Sequence, residues 1–217
     1  MKGCHLMKLT DIIGATLKKY QINEVFGLQG GAVVHIFDSI EKYGVKTVYT
    51  LHEQAAALAS VANAKVTGKF GCAVVTTGPG TTNAITGLLG AWNDSIPCIF
   101  ISGQVRSDHV SYNKPVRQVG TQEAPICNIV KPITKLSIFI KDPSTFQEEL
   151  EKAICIACEG RPGPVWIDIP LEYQWLDVPY KSNYIKQPDN KNYDNDKINT
   201  FEKFLMESKK PLLVLGY

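Results

Sequence analysis

Tyr49-Thr-Leu-His-Glu-Gln-Ala-Ala-Ala-Leu58 joins two kinds of sequence. Before it runs an apolar, β-branched stretch, Val45 to Leu51; after it comes alanine-rich helical sequence with no break. The junction reads as a buried strand that delivers a carboxylate, Glu53, to its own C-terminal end, where a helix begins. In parallel α/β folds that edge of the sheet is where ligands bind. The neighbours of Glu53 are small and apolar, so a carboxyl group there is poorly solvated. A glutamate in the first turn of a helix is also favoured by the helix dipole alone.

Working outward, strand and helix patterns alternate. Leu9, Ile12, Ile13, Thr16, Leu17 and Tyr20 recur at helical spacing over residues 8–20, with Thr10 or Asp11 as the expected cap. Glu24-Val-Phe26 is a short strand, followed by Gly27-Leu-Gln-Gly30-Gly31 and a helix over 32–40 that carries His35 as a structural residue. Adjacent glycines allow close backbone approach, but the spacing is not that of a dinucleotide fingerprint. Phe70 to Val75 reads as a buried strand running into Thr76-Thr-Gly-Pro-Gly-Thr-Thr-Asn83 and a helix over 84–91. That turn is rich in amides and hydroxyls, a second candidate ligand loop. Residues 95–101 form the next strand, ending in Ser102-Gly-Gln104. Residues 105–121 are polar and aperiodic and read as a long loop, of the kind that is often functional. A short helix over 122–130, an extended segment over 133–140, a helix over 146–158 started by Asp142-Pro-Ser-Thr145, and a strand over 164–169 complete the series. Strands that are near-continuous apolar runs, alternating with helices, predict an α/β fold: a parallel sheet with helices on both faces.

Of the 217 residues, 44% are apolar and 20% charged, as in ordinary globular chains; the formal charge of +2 carries no basic block that would point to nucleic acid or a membrane surface. No run approaches the roughly 18 apolar residues of a membrane span, and Met1 to Met7 lacks a signal-peptide core. Among six cysteines the only close pair, Cys155 and Cys158, lies in a helical pattern without a second pair or a histidine at ligand spacing. Reduced cysteines in a cytoplasmic protein account for this usage. The composition divides the chain into a folded domain over 1–176, a linker over 177–196, and a new helix and opening strand over 197–217. That last piece reads as the start of a truncated further domain.

Several motifs then fall into one order: Val25-Phe-Gly-Leu-Gln-Gly-Gly-Ala32, His52-Glu-Gln-Ala-Ala56, Thr76-Thr-Gly-Pro-Gly-Thr-Thr-Asn-Ala84, Asp94-Ser-Ile-Pro97, Ser102-Gly-Gln-Val105, Gln122-Glu123 and Gly160-Arg-Pro-Gly-Pro-Val165. Over residues 8–175 this resembles the N-terminal, pyrimidine-binding domain of thiamine-diphosphate-dependent enzymes, most closely acetolactate synthase large subunits. The resemblance implies that Glu53 hydrogen-bonds N1′ of the cofactor's aminopyrimidine and promotes loss of the C2 proton. The activated carbon then attacks a 2-oxo acid such as pyruvate, which loses CO₂ before the remainder is ligated to an acceptor. It makes Glu53 and Gln122 the candidate catalytic residues, with Gln122 at the substrate end. Gly30, Gly31, Pro79, Gly80 and Asn83 are candidate cofactor-binding residues, and Arg161 matches an arginine that contacts FAD in members that carry it. Mg²⁺ and the diphosphate are expected on a separate C-terminal domain, and the enzyme as a homodimer or tetramer with its active site between subunits; the chain alone is then inactive. A related 2-oxo acid decarboxylase or 2-hydroxyacyl lyase, or a non-catalytic association module, is the alternative reading.

Three departures bear on the substrate. Leu28-Gln29 stands where the family has Tyr-Pro, Thr121 stands where it has Phe, and the segment around Asn113 to Gln118 is longer. The polar Gln29 and the basic loop with Arg106, Lys114 and Arg117 would suit a larger or more anionic acceptor than pyruvate.

Overall fold

A computed structural model of the chain describes residues 5–112, 114–181 and 194–214. In chain order the elements are β1 (His5–Lys8), α1 (Leu9–Lys19), β2 (Glu24–Gly27), α2 (Val34–Lys42), β3 (Lys46–Tyr49) and α3 (Glu53–Thr67). Then follow β4 (Gly71–Val75), α4 (Pro79–Asn83), α5 (Ile85–Asn93), β5 (Cys98–Gln104) and α6 (Ile126–Val130). The series closes with β6 (Leu136–Phe139), α7 (Phe146–Cys158), β7 (Val165–Pro170), β8 (Asp177–Tyr180) and α8 (Asn195–Glu207).

Six strands form one sheet in the order β3-β2-β4-β5-β7-β6, and every neighbouring pair is parallel. The period of two along each strand divides the core. Cys72 and Val74, Ile99 and Ile101, and Val165, Ile167 and Ile169 face α1, α2 and α7. Ala73 and Val75, Cys98 and Phe100, and Trp166 face α3, α5 and α6. Trp166 stacks on Phe100 at 5.3 Å between ring centres, both fully buried. The expected α/β architecture, with helices on both faces, is present.

The alanines of α3 have a packing reason. A Cβ at Gly87 of α5 would stand 2.5 Å from the Cβ of Ala57, so the two helices meet through small side chains. His52 caps α3 through Nδ1, which accepts from the Gln54 amide at 3.1 Å, and Gly68 ends it with φ +66°.

Local readings change in several places. The strand expected over 45–51 is a four-residue edge strand, and Leu51 beyond it is 100% exposed. β-branched residues suit an edge as well as a centre, so they did not establish burial. Thr10 and Asp11 do not cap α1; they are buried within it, with Ser39 Oγ at 2.8 and 2.9 Å and Lys42 Nζ 2.6 Å from Asp11. Ser102-Gly-Gln104 does not follow the strand but belongs to it, wholly buried. The helix expected from Gln122 begins at Ile126, because Gln122 adopts φ +59°.

Asp177 does not open a loop: Asp177–Tyr180 pair antiparallel with His5–Lys8. Residues 182–193 of the expected linker, like Cys4, Asn113 and residues 215–217, lie outside the described residues. Helix α8 is present with Ile198, Phe201 and Phe204 exposed, and Pro211–Val214 have no regular structure.

Candidate functional site at the carboxyl edge of the sheet

Strand order reverses at β2. The chain leaves β2 for α2 on one face, goes on to β3 at the sheet edge, and returns as β4 on the other side of β2. Loops that diverge from adjacent strands open a crevice at their C-terminal ends. The turn after β2 carries Gly30, the turn after β4 carries Thr76 to Asn83, and α3 begins with Glu53 beside them.

These pieces touch. A Cβ on Gly30 would lie 2.6 Å from Cβ of Thr76, so only glycine lets the two turns meet. A Cβ on Gly80 would lie 2.8 Å from Cγ2 of Thr76 and 3.4 Å from Oε1 of Glu53. Glu53 is only 8% exposed, and Asn83 Nδ2 donates to its Oε2 at 3.0 Å. One carboxylate oxygen is therefore held by Asn83, and the other faces the space left by the missing side chain of Gly80. Pro79 is the first residue of α4, and Thr81 Oγ1 donates to the Gly78 carbonyl at 2.7 Å. Gly31 is different: nothing lies within 4 Å of a Cβ there.

Gln122 joins the same edge through Gly78, whose φ is +64°; a Cβ at Gly78 would overlap the Gln122 carbonyl. Behind this contact lies a polar cluster that sequence reasoning left without a role. Thr77 Oγ1 donates to Gln104 Oε1 at 2.6 Å, and Gln104 Nε2 donates to Asp168 Oδ2 at 2.9 Å. Asp168 is fully buried; burial pushes its carboxyl up to about 7, against hydrogen bonds from Ser102 and Gln104 that lower it. The available signal was a single carboxylate inside Val165-Trp-Ile-Asp-Ile169, where a buried charge must find partners.

The long loop is tied down internally. Arg106 Nε lies 3.1 Å from Asp108 Oδ1, and Lys114 Nζ donates to the Asp108 carbonyl at 2.7 Å. Glu123 accepts from the amides of Ser111, Val119 and Gly120 and from the Ser111 hydroxyl. Those bonds hold its carboxyl below the usual range although burial opposes them. Gln29 lies beside the hydroxyl of Tyr49, which donates to Glu41 at 2.7 Å.

Arg161 does not join this group. It precedes β7, and its Nε donates to Ser95 Oγ, ahead of β5, at 2.7 Å. In a parallel sheet that is the amino edge, the far end of the strands from Glu53. A cavity of about 540 Å³ opens there, lined by Trp92, Asn93, Lys135, Glu159, Arg161 and Pro162. Among the described residues no three His, Cys, Asp or Glu side chains cluster to hold a metal.

Fold and edge together define a parallel α/β domain in which a buried carboxylate meets two glycine turns where the strand order reverses. The chain belongs to the thiamine pyrophosphate enzyme family, whose N-terminal TPP binding domain matches residues 7–129. It is 41% identical over 161 residues to the acetolactate synthase large subunit of Haemophilus influenzae, covering 74% of this chain and 27% of that protein. It is 32% identical over 200 residues to the acetolactate synthase isozyme 2 large subunit of Escherichia coli, covering 92% and 35%. It is 32% identical over 219 residues to the chloroplastic acetolactate synthase of Arabidopsis thaliana, covering 96% and 31%. The chain thus spans about a third of the length of the curated relatives it matches.

Proposed function

We propose that the chain is the cofactor-activating part of a thiamine-diphosphate-dependent carboligase of the acetolactate synthase type, acting on a 2-oxo acid such as pyruvate. The observation that carries this is the Glu53 carboxylate, buried, with Oε2 on Asn83 and Oε1 turned to Gly80. Thiamine diphosphate, when bound, supplies a carbon nucleophile and an electron sink for decarboxylation. The residues fit its aminopyrimidine. Gly30 and Gly80 let the two turns close on Thr76 beside the carboxylate, and Glu53 Oε1 offers an acceptor or proton at the ring nitrogen. Asn83 acts in this reading by fixing the carboxylate, and Pro79 by starting the helix that carries Asn83. Gln122, beside Gly78, faces the substrate end, and Gly31 borders the crevice.

In this reading Mg²⁺ and the diphosphate are expected on a separate C-terminal domain; among the described residues no three His, Cys, Asp or Glu side chains cluster to hold a metal. For FAD, where the enzyme carries it, this reading takes the cavity beside Arg161 rather than the Glu53 edge. Homodimer or tetramer formation is supported by Leu51 and Leu58, which are exposed beside Glu53, and by Leu89 on the adjoining α5. Isolated, the chain is expected to be inactive. Cys72, Cys98, Cys127 and Cys158 are free thiols, which suits the cytoplasmic setting of this reading. No helix among the described residues is long and apolar enough to cross a membrane.

The test is C2-proton exchange of thiamine diphosphate by the complete protein with Mg²⁺, comparing wild type with Glu53→Gln. A loss on the order of 10²–10⁴-fold is expected for removing a proton-transfer group. Equal exchange in both proteins would leave Glu53 as a helix-start residue and end this reading.

A further inference from the structure

Gln104 ends a fully buried strand, so all four hydrogen-bonding positions of its amide must be met without water. All four are. Nε2 donates to Asp168 Oδ2 at 2.9 Å and to the Ala124 carbonyl at 3.0 Å. Oε1 accepts from Thr77 Oγ1 at 2.6 Å and from the Val105 amide at 2.9 Å. The partners belong to separate stretches: the turn after β4, the segment after the long loop, and β7.

The Val105 N–H fixes which end of the Gln104 amide accepts. Trp166 Nε1 is only a donor and gives its hydrogen to Ser102 Oγ at 2.8 Å. When Asp168 is ionised, the Ser102 hydroxyl turns its own proton to Asp168 Oδ1, 2.6 Å away. The other oxygen of Asp168 takes Gln104 Nε2, which leaves Oε1 for Thr77 and Val105. A flipped amide would set NH₂ against the Val105 N–H.

The two grips flank one contact. Thr77 immediately precedes Gly78, and Ala124 follows Gln122 by two residues. The Gln122 carbonyl sits where a Cβ of residue 78 would stand, 3.5 Å from Thr77 Oγ1. Gln122 also holds φ +59°, a conformation that a non-glycine residue keeps only when its surroundings impose it.

We propose that Gln104 is a positioning residue that holds Gln122 against the Gly78 turn at the substrate end of the site. The role rests on the functional reading given above. Gln104 is buried behind the crevice and acts through Gln122. Glu123 extends the same arrangement outward: it gathers the amides of Ser111, Val119 and Gly120, so the long loop hangs from the residue next to Gln122.

The experiment uses the complete protein with thiamine diphosphate, Mg²⁺ and pyruvate. Gln104→Met keeps the side-chain length and removes all four bonds. KM for pyruvate is expected to rise about tenfold or more. C2-proton exchange without pyruvate is expected to stay within about twofold, because Glu53 and Asn83 lie outside this cluster. Gln122→Ala is expected to raise KM similarly, and the double variant to be no worse than Gln122→Ala alone. Thr77→Val, which removes only the hydroxyl donor, gives a smaller shift of the same kind and carries the test if Gln104→Met does not fold. An unchanged KM, multiplying effects in the double variant, or an exchange rate that falls in step with the rise in KM would each overturn the role. A wild type that shows neither exchange nor pyruvate turnover would instead overturn the functional reading on which the role stands.

Discussion

Asp168 makes the stability of this domain depend on pH in an unusual direction. Its carboxyl sits at about 7 in the folded chain, against an ordinary value of 3.8, because full burial disfavours the charged form. Between those values the folded protein keeps a proton that the unfolded chain has lost. Stability from this group is therefore present below 3.8 and drains away as pH rises towards 7. The gap spans roughly three pH units at about 1.4 kcal/mol each, or about 4 kcal/mol. Asp168→Asn removes the titration; its amide hydrogens meet the donor from Gln104, a cost that does not change with pH. Urea unfolding of wild type and Asp168→Asn from pH 4 to 8 isolates the effect from all other carboxylates. The stability difference is expected to move in favour of the asparagine variant by about 4 kcal/mol, most of it by pH 7. Parallel curves, or a wild type that gains on the variant as pH rises, would refute the reasoning.

Gly78→Ala combines a left-handed φ with overlap on the Gln122 carbonyl, so a loss of about 2–4 kcal/mol is expected by thermal unfolding. Gly31→Ala, with open space around the new methyl, should stay within about 1 kcal/mol of wild type in the same assay. Gly87→Ala drives a methyl into Ala57 between α3 and α5 and should cost about 1–3 kcal/mol, read as a lower urea midpoint with an unchanged slope. Burial pushes the thiols of Cys72 and Cys127 up and that of Cys98 to about 12, so a thiol reagent at pH 8 should label these three only after unfolding. Rapid labelling of all three in the native chain would contradict the buried placement.

The central strands were legible because burial on both faces leaves an unmistakable run such as Cys72-Ala-Val-Val75, whose alternate residues enter the two cores. The β1–β8 pair was not. Two four-residue strands from opposite ends of the domain, one with Lys8 and the other with Asp177 and Pro179, carry no periodic signal, and tertiary pairing alone makes them strands. The φ of Gln122 was equally hidden, since nothing in its residue type asks for a left-handed backbone; the Gly78 turn and the Gln104 amide impose it. Asp168 stood in plain view, but its meaning depended on Ser102 and Gln104 reaching it from the neighbouring strand.

Arg161 shows how far chain order alone could have gone. In an all-parallel sheet every segment that follows a strand arrives at one edge and every segment that precedes a strand arrives at the other. Gly30, Gly80 and Glu53 follow β2, β4 and β3, while Arg161 precedes β7. β4 alone is five residues long, about 16 Å at roughly 3.3 Å per residue, so the two edges cannot share one small ligand group. The resemblance gives Arg161 a different ligand from Glu53, and the two edges give them separate places. Glu53 with Asn83 and Gly80 lies at the carboxyl edge, where the proposed function puts the cofactor's ring. Arg161, held by Ser95 beside the amino-edge cavity, lies too far from Glu53 for the two to share one ligand group.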